Sequence, residues 1–242
     1  MGLFMKIPAL LAFSLISLTQ ALGGVFIDDF EDGDNFGWKV ISGEWKVEGG
    51  AYIQSQDLPM EARNLSKAFY TLLQSPWDIA NGTIEFTVRF EEGAEESDQA
   101  LLLFRMVDEL NGYALKLNAD GLTVYKVING SFNTIRMEPS EVKFPEDHIK
   151  VKLDGMWIWV YLNGVLRMRI GDADFEKKGF KEGKVGLGVV ACQHPIRFEE
   201  IKVEGENIYQ FRINLPVELD VELPVIWAEL KTGHSPFRLA HP

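Results

Sequence analysis

Cysteine is almost absent from this sequence of 242 residues, in which Cys192 is the single example. An intramolecular disulfide is therefore excluded, and the apolar run VGLGVVAC around Cys192 predicts a buried free thiol. Histidine is also scarce, and the four histidines are scattered without zinc-ligand spacing. Because no phosphate-binding loop and no Ser-His-Asp pattern stands out either, the sequence predicts no catalytic residues.

Basic residues are outnumbered by acidic ones. The chain has 24 Lys and Arg against 36 Asp and Glu, which gives a formal net charge of −12. Phosphate binding depends on clustered Lys and Arg, so this balance argues against nucleic acid as a general partner. This net charge is still compatible with a local basic patch.

A long uninterrupted hydrophobic run is also missing. The most apolar stretch is Ile7 to Leu18, which contains a proline and two serines, follows Lys6 and precedes the small-residue site Thr19-Gln20-Ala21. This pattern predicts a signal peptide over residues 1–21 and a secreted, periplasmic or extracellular protein with no membrane contact after cleavage. The alternative, a membrane anchor, would need about 20 apolar residues.

Amphipathic helices are lacking, apart from a short one that residues 55–73 could hold. Almost every other segment alternates with the period of two that is typical of strands. The predicted strands are Thr83 to Phe90, Gln99 to Met106, Tyr113 to Asn118, Leu122 to Ile128, Ile149 to Leu153, Met156 to Leu162, Val165 to Ile170, Val185 to Ala191 and Arg197 to Val203. Strands without intervening helices predict an all-β, two-sheet antiparallel sandwich over residues 22–205. Residues 206–242 alternate poorly, contain four prolines, and are interpreted as a C-terminal extension or tail.

The order of motifs in this chain resembles a known superfamily. FIDDFEDGDNFGWKVISGEWKVEGG is followed by GTIEFTVRF, by HIKVKLDGMWIWVYLNGVL and by GKVGLGVVACQHPIRFEEIKV. Over Val25 to Val203 this resembles the concanavalin A-like lectins and glucanases, specifically the laminin-G-like and 3-keto-disaccharide hydrolase-like members. The resemblance implies a two-sheet jelly roll with one concave sheet, a fold in which many relatives bind glycans.

The segment GMWIWVYLNG has aromatic residues at alternate positions. If Asp154-Gly155 is a two-residue turn, Lys152 lies opposite Trp157, Lys150 opposite Trp159 and His148 opposite Tyr161. A face with two lysines is unsuited to the core. The intervening residues of the strand (Ile158, Val160 and Leu162) are therefore predicted to be core, and the aromatic face is predicted to point outward.

The next turn extends this face. A two-residue turn at Asn163-Gly164 would place Arg167 and Arg169 in the core, so we predict a three-residue loop with a bulge that pairs Tyr161 with Arg167 and Trp159 with Arg169. We call the resulting surface the aromatic–basic strip. It consists of Trp157, Trp159, Tyr161, Lys150, Lys152, Arg167 and Arg169.

Aromatic rings flanked by cations suit sugars, because the C–H face of a sugar ring stacks on an aromatic ring while Lys and Arg pair with hydroxyl, carboxylate or sulfate groups. The strip therefore predicts a glycan ligand that could be anionic. Two other interpretations stay open: the cations could simply lie over the rings, or the C-terminal extension could cover the strip.

Acidic residues suggest two further sites. Asp28 and Asp29, in DDFEDGD, could hold Ca²⁺ together with Glu199 on the closing strand, where the resemblance allows the two regions to meet. The alternative is an acidic turn whose Asp side chains cap their own backbone. Glu218, Asp220 and Glu222 have the spacing of glucanase acids but lie in the extension, beyond the closing strand.

Taken together, the sequence favours a secreted carbohydrate-binding domain. The alternatives are a glycoside hydrolase of the 3-keto-disaccharide type and a laminin-G-like module that binds protein.

Overall fold

The computed structural model describes residues 23–58, 64–91, 97–139, 146–173, 175, 179–208 and 211–212. Two sheets pack face to face, and the predicted all-β antiparallel sandwich is confirmed. The described residues contain a single 3₁₀ turn, Leu65–Lys67, and no helix among them is long and apolar enough to cross a membrane. The predicted signal peptide and nearly all of the C-terminal extension lie outside the described residues.

Within the described part of the chain, the first sheet has nine strands. They are β1 (Gly24–Asp28), β3 (Trp45–Val47), β4 (Tyr52–Gln54), β6 (Gly82–Phe90), β11 (Glu146–Asp154), β12 (Trp157–Leu162), β13 (Val165–Gly171), β15 (Ile196–Gly205) and β16 (Phe211–Arg212). The order is β13-β12-β11-β6-β15-β1-β16, with β4 also on β15 and β3 on β4. Every pair is antiparallel except β1 with β16.

The second sheet has seven strands among the described residues, in the order β10-β9-β8-β7-β14-β5-β2. They are β2 (Trp38–Ser42), β5 (Phe69–Leu73), β7 (Gln99–Asp108), β8 (Asn111–Asn118), β9 (Gly121–Ile128), β10 (Ser131–Pro139) and β14 (Lys184–Ala191). All nine predicted strands are present. The sequence did not predict β1 to β5 or the edge strand β10, which has no buried residue. The described residues between 55 and 73 contain the 3₁₀ turn and β5 and no α-helix.

The inward residues of both sheets form one core. β6 shows the pattern clearly, with Ile84, Phe86, Val88 and Phe90 buried between half-buried neighbours. The outer face of the second sheet is also apolar, and Leu65 and Ala68 pack into a second cluster there. On the outer face of the first sheet, the outward residues of β11 are instead polar, and those of β11 and β13 are exposed or half-buried.

A buried ion pair joins the two sheets at one edge. Lys126 of β9 is only 9% exposed and pairs with the carboxylate of Asp172, which follows β13. The hydroxyl of Tyr113 donates to Asp172 Oδ2 at 2.7 Å. The ammonium of Lys126 lies 5.9 Å from the ring centroid of Tyr113 and 5.8 Å from that of Phe180. This cluster fixes β13 to the second sheet.

Candidate functional site

The outer face of β12 carries three aromatic side chains. Trp157 is 37% exposed, whereas Trp159 and Tyr161 are half-buried. The centroids of the two indole rings lie 6.3 Å apart, with their planes tilted by 39°. The alternate residues of the strand are buried in the core, as predicted. The two indoles therefore form a continuous aromatic surface on a regular strand.

The predicted pairing of β11 with β12 is wrong by two residues. Lys152 lies opposite Trp159 instead of Trp157, and Lys150 lies opposite Tyr161 instead of Trp159. The third predicted pair, His148 with Tyr161, is also wrong by two residues. A shift of two residues returns every side chain to the same face of the sheet. The outward orientation of the aromatic residues is thus confirmed although the partners differ.

The position of the turn explains the displacement. Asp154 pairs with Trp157, so the two turn residues are Gly155 and Met156 rather than Asp154 and Gly155. Gly155 has a φ of 52°. A positive φ at the first turn position is what type II′ turns require, and glycine adopts it without strain.

The second hairpin also departs from its prediction. Asn163 and Gly164 form a two-residue turn with φ values of 50° and 76°, the signature of type I′, so the predicted three-residue loop is wrong. A bulge does occur, but it lies inside β13, where Arg167 is the extra residue. The bulge restores the alternation that the shorter turn would otherwise have reversed.

Because of this bulge, only one of the two arginines lies opposite an aromatic residue of β12. Trp159 lies opposite Arg169, as predicted. Tyr161 lies opposite Leu166 rather than Arg167, and Leu166 is 48% exposed. Both arginines are nevertheless exposed.

Two cations lie directly over the indole rings. The guanidinium carbon of Arg169 is 4.2 Å from the ring centroid of Trp157 and 5.9 Å from that of Trp159. The ammonium of Lys152 is 5.2 Å from the Trp159 centroid. These distances allow cation–π attraction, which holds the rings and the charges in one arrangement. A planar guanidinium stacked on a ring still presents N–H donors at its edge.

The cations of the strip differ in their ion pairing. Lys150 Nζ pairs with Glu85 Oε1 at 2.9 Å, and His148 Nε2 lies 3.5 Å from the other oxygen of Glu85. Within the part of the chain that the structure describes, no carboxylate lies within ion-pair distance of Lys152, Arg167 or Arg169. The strip is therefore locally cationic on an acidic protein.

The turn beside Trp157 is fixed from the interior. The buried guanidinium of Arg105 donates to the carbonyl of Gly155 at 2.9 Å and also to the carbonyl of Ala80. Asn81 Oδ1 accepts a hydrogen bond from the backbone N–H of Gly155 at 2.8 Å. The aromatic surface thus begins at an anchored turn, and a binding site on rigid elements needs little ordering when a ligand arrives.

Two residues of the predicted calcium site are already engaged. Asp28 is 2% exposed, and its oxygens accept from Trp38 Nε1 at 2.8 Å and from the backbone N–H of Phe30 at 3.1 Å. Asp29 Oδ1 accepts from the backbone N–H of Glu31 at 3.2 Å. These bonds match the alternative interpretation, an acidic turn that caps its own backbone.

The third predicted ligand lies elsewhere. Glu199 Oε1 is 3.2 Å from Arg89 Nη2, on the outer face of the first sheet, whereas Asp28 pairs with the core residue Ile201 and points inward. Among the described residues, no group of three or more His, Cys, Asp and Glu side chains is placed to hold a metal ion. Calcium binding stays a prediction, and the geometry adds no support to it.

The remaining candidate residues are Cys192 and the three acids of the C-terminal extension. Cys192 is a buried free thiol, as predicted, and burial raises its pKa to about 12. Glu218, Asp220 and Glu222 lie outside the described residues.

The sequence interpretation missed polar residues on the neighbouring strands of the same face. Trp159, Lys152, Thr83 and Glu204 lie opposite one another in a single row across β12, β11, β6 and β15. Alternation within β6 and β15 places Thr83 and Glu204 on the outer face. The row itself depends on the register between strands that are distant in sequence, which no local pattern reveals.

Comparisons with known proteins establish the fold. No protein-family model and no curated protein matches the chain. Among solved structures, the carbohydrate-binding module CBM66 from Bacillus subtilis has a TM-score of 0.55 at 22% identity, covering 69% of this chain and 94% of that one. A Bacillus subtilis protein of unknown function with a galectin-like fold has a TM-score of 0.55 at 12% identity, covering 78% and 98%.

A third similar structure is an enzyme. Bacillus licheniformis beta-glucanase has a TM-score of 0.51 at 11% identity and covers 75% of this chain and 98% of its own. The predicted two-sheet jelly roll is thus confirmed as the fold. A fold of this kind carries both binding modules and enzymes, so function depends on the site.

Proposed function

We propose that this chain is a secreted carbohydrate-binding domain that holds a glycan on the aromatic–basic strip. The observation that carries the proposal is the pair of adjacent indoles, Trp157 and Trp159, on the exposed face of a rigid sheet. Contiguous apolar surface exposed on a protein is a common mark of a binding site. The fold supports the proposal too, because one structure of this fold is described as a carbohydrate-binding module and another as a beta-glucanase.

The chemistry of the strip suits a sugar chain. The apolar C–H faces of sugar rings can stack on the two indoles, whose planes are tilted by 39° to each other. Arg169 lies over the ring of Trp157 and Lys152 over the ring of Trp159, and both can donate to hydroxyl or carboxylate oxygens of a sugar that stacks on the remaining ring surface. Since neither cation has a carboxylate partner among the described residues, the strip is suited to an anionic glycan.

Trp159→Ala tests the site. We expect it to weaken binding to soluble polysaccharides by about thirty-fold, since removing a central aromatic anchor costs about 2 kcal/mol or more. Isothermal titration calorimetry against a panel of neutral and anionic polysaccharides measures the loss. Trp157→Ala should act in the same direction, and urea unfolding of both variants separates lost binding from lost stability.

Phe36→Ala is the matched control, because Phe36 is 44% exposed but precedes β2 of the other sheet. It should bind as the unaltered protein does. The proposal fails if the unaltered protein binds no polysaccharide of the panel, or if both tryptophan variants bind normally.

Arg169→Gln tests the preference for an anionic glycan. Affinity for polygalacturonate should fall about tenfold, because a hydrogen-bonded charge pair is lost. Affinity for the carboxyl-reduced polymer should change little. Arg136→Gln removes the same charge from an exposed site on β10 and should leave both affinities unchanged. Equal binding of the two polymers by the unaltered protein would show that the strip takes neutral glycans.

A further inference from the structure

A groove lies on the same face of the first sheet, next to the strip. It has a volume of about 520 Å³ and is formed where β1, β6, β11 and β15 meet. Three glycines that pair side by side, Gly24, Gly205 and Gly82, are among its lining residues. A Cβ atom on Gly82 would come within 1.8 Å of the Glu204 carbonyl oxygen, so the close approach of these strands requires glycine.

The groove continues the aromatic surface. Lys152 belongs to both, because its ammonium lies over the ring of Trp159 and its side chain lines the groove. From Trp159 the row of opposed residues runs through Lys152 and Thr83 to Glu204. Trp159 and Glu204 are three strand spacings apart, roughly 14 Å at the usual distance between strands. An extended chain of a few sugar rings covers that distance.

The chemistry changes along this row. The strip presents donors, whereas the groove adds two carboxylates to Lys152, those of Asp154 and Glu204. Thr83 Oγ1 donates to Glu204 Oε2 at 3.1 Å. The hydrogen bond from Lys202 lowers the pKa of Glu204, which keeps this carboxylate ionised at neutral pH. Ionised carboxylates accept hydrogen bonds from sugar hydroxyls and repel anionic groups.

We infer that the groove is a second subsite of the glycan-binding face, one that takes the uncharged, hydroxyl-rich units of an extended oligosaccharide. The chain lies across the strands, with its stacked or anionic unit at Trp157 and Arg169 and its neutral units over Thr83 and Glu204. This inference rests on the proposed glycan binding, and it adds the length and the polarity of the ligand.

A series of oligosaccharides from disaccharide to hexasaccharide tests the inference. The series is cut from the neutral polysaccharide that the protein binds best. The unaltered protein should bind the longer members about tenfold more tightly than the disaccharide, because only they reach the acceptors of the groove. Glu204→Gln should reduce this gain and leave disaccharide affinity unchanged, because a neutral amide accepts hydrogen bonds less strongly than a carboxylate. Asp154→Asn should reduce the gain, and it provides a second variant should the first lose stability.

Glu200→Gln is the matched control, since Glu200 is an exposed acid on β15 that does not line the groove. It should keep the full dependence on chain length. Affinity that does not change with chain length, or a gain that neither groove variant reduces, overturns the inference while leaving disaccharide binding at the tryptophans intact. A protein that binds no member of the series overturns both the inference and the proposed function.

Discussion

Asp172→Asn is expected to lower the free energy of unfolding by about 3–5 kcal/mol, the usual cost of leaving a buried charge without its partner. Asp172 is the counter-ion of Lys126, and the side chains of both are only 11% exposed. The substitution keeps the shape of the side chain but removes its charge, and it weakens the hydrogen bond from Tyr113. Urea unfolding followed by tryptophan fluorescence measures the loss.

Two comparisons isolate the ion pair. In a Lys126→Met background the same substitution should cost much less, because no buried ammonium is left unpaired. Glu109→Gln breaks the exposed pair with Lys39, whose side chains are about half exposed, and should cost less than about 1 kcal/mol. If Asp172→Asn costs as little as that surface control, the pair does not hold the two sheets together.

The ion pair also bears on the aromatic–basic strip. The backbone N–H of Asp172 donates to the carbonyl of Met156 at 3.0 Å, directly beside the turn that precedes Trp157. Gly171 lies opposite Trp157, and a Cβ atom there would come 3.0 Å from the indole ring. The end of β13 thus supports the first tryptophan from two sides. Loosening this end should weaken glycan binding as well as stability.

The sequence predicted the faces of the strands better than their partners. Alternation placed Trp157, Trp159 and Tyr161 on one face, and the lysines at alternate positions of the neighbouring strand identified that face as the outer one. Both steps depend only on the period of the strands. Their partners depend on turn geometry. Asp154-Gly155 is a strong hairpin signal, yet the turn forms one residue later, where Gly155 takes the first turn position.

The position of the bulge in β13 is a second feature that the sequence did not predict. The charges of Arg167 and Arg169 indicated correctly that some irregularity must keep both arginines out of the core. They could not indicate whether the extra residue lies in the loop or within β13, since either choice satisfies the same alternation.

The buried ion pair was missed although the sequence contains a sign of it. In LTVYKVI, Lys126 shares a face with Leu122 and Val124, which are core residues. A lysine on a core face predicts a buried counter-ion. The identity of that partner, Asp172, follows only from the packing of one sheet on the other.

Asp28 gives the second large effect, a loss of stability as the pH rises. It lies in the core near Phe30, Trp38 and Tyr52, three aromatic residues that pack on one another. Burial, reinforced by the nearby charges of Asp32 and Asp29, outweighs two hydrogen bonds and raises the pKa of Asp28 from 3.8 to about 6. The folded protein therefore binds a proton that the unfolded chain has already released between these two values.

The proton bound by Asp28 in the folded state determines the direction in which stability changes with pH. Between pH 4 and 6 the native state binds more protons, so the contribution of Asp28 to stability falls as the pH rises and is constant above the folded pKa. A shift of this size corresponds to about 3 kcal/mol. In urea unfolding from pH 4 to pH 8, the unaltered protein should lose about that much stability relative to Asp28→Asn, which has no charge to bury. The exposed Asp34→Asn should follow the unaltered protein throughout. A constant difference between Asp28→Asn and the unaltered protein would mean that Asp28 is already ionised at low pH, as a cation-binding carboxylate must be.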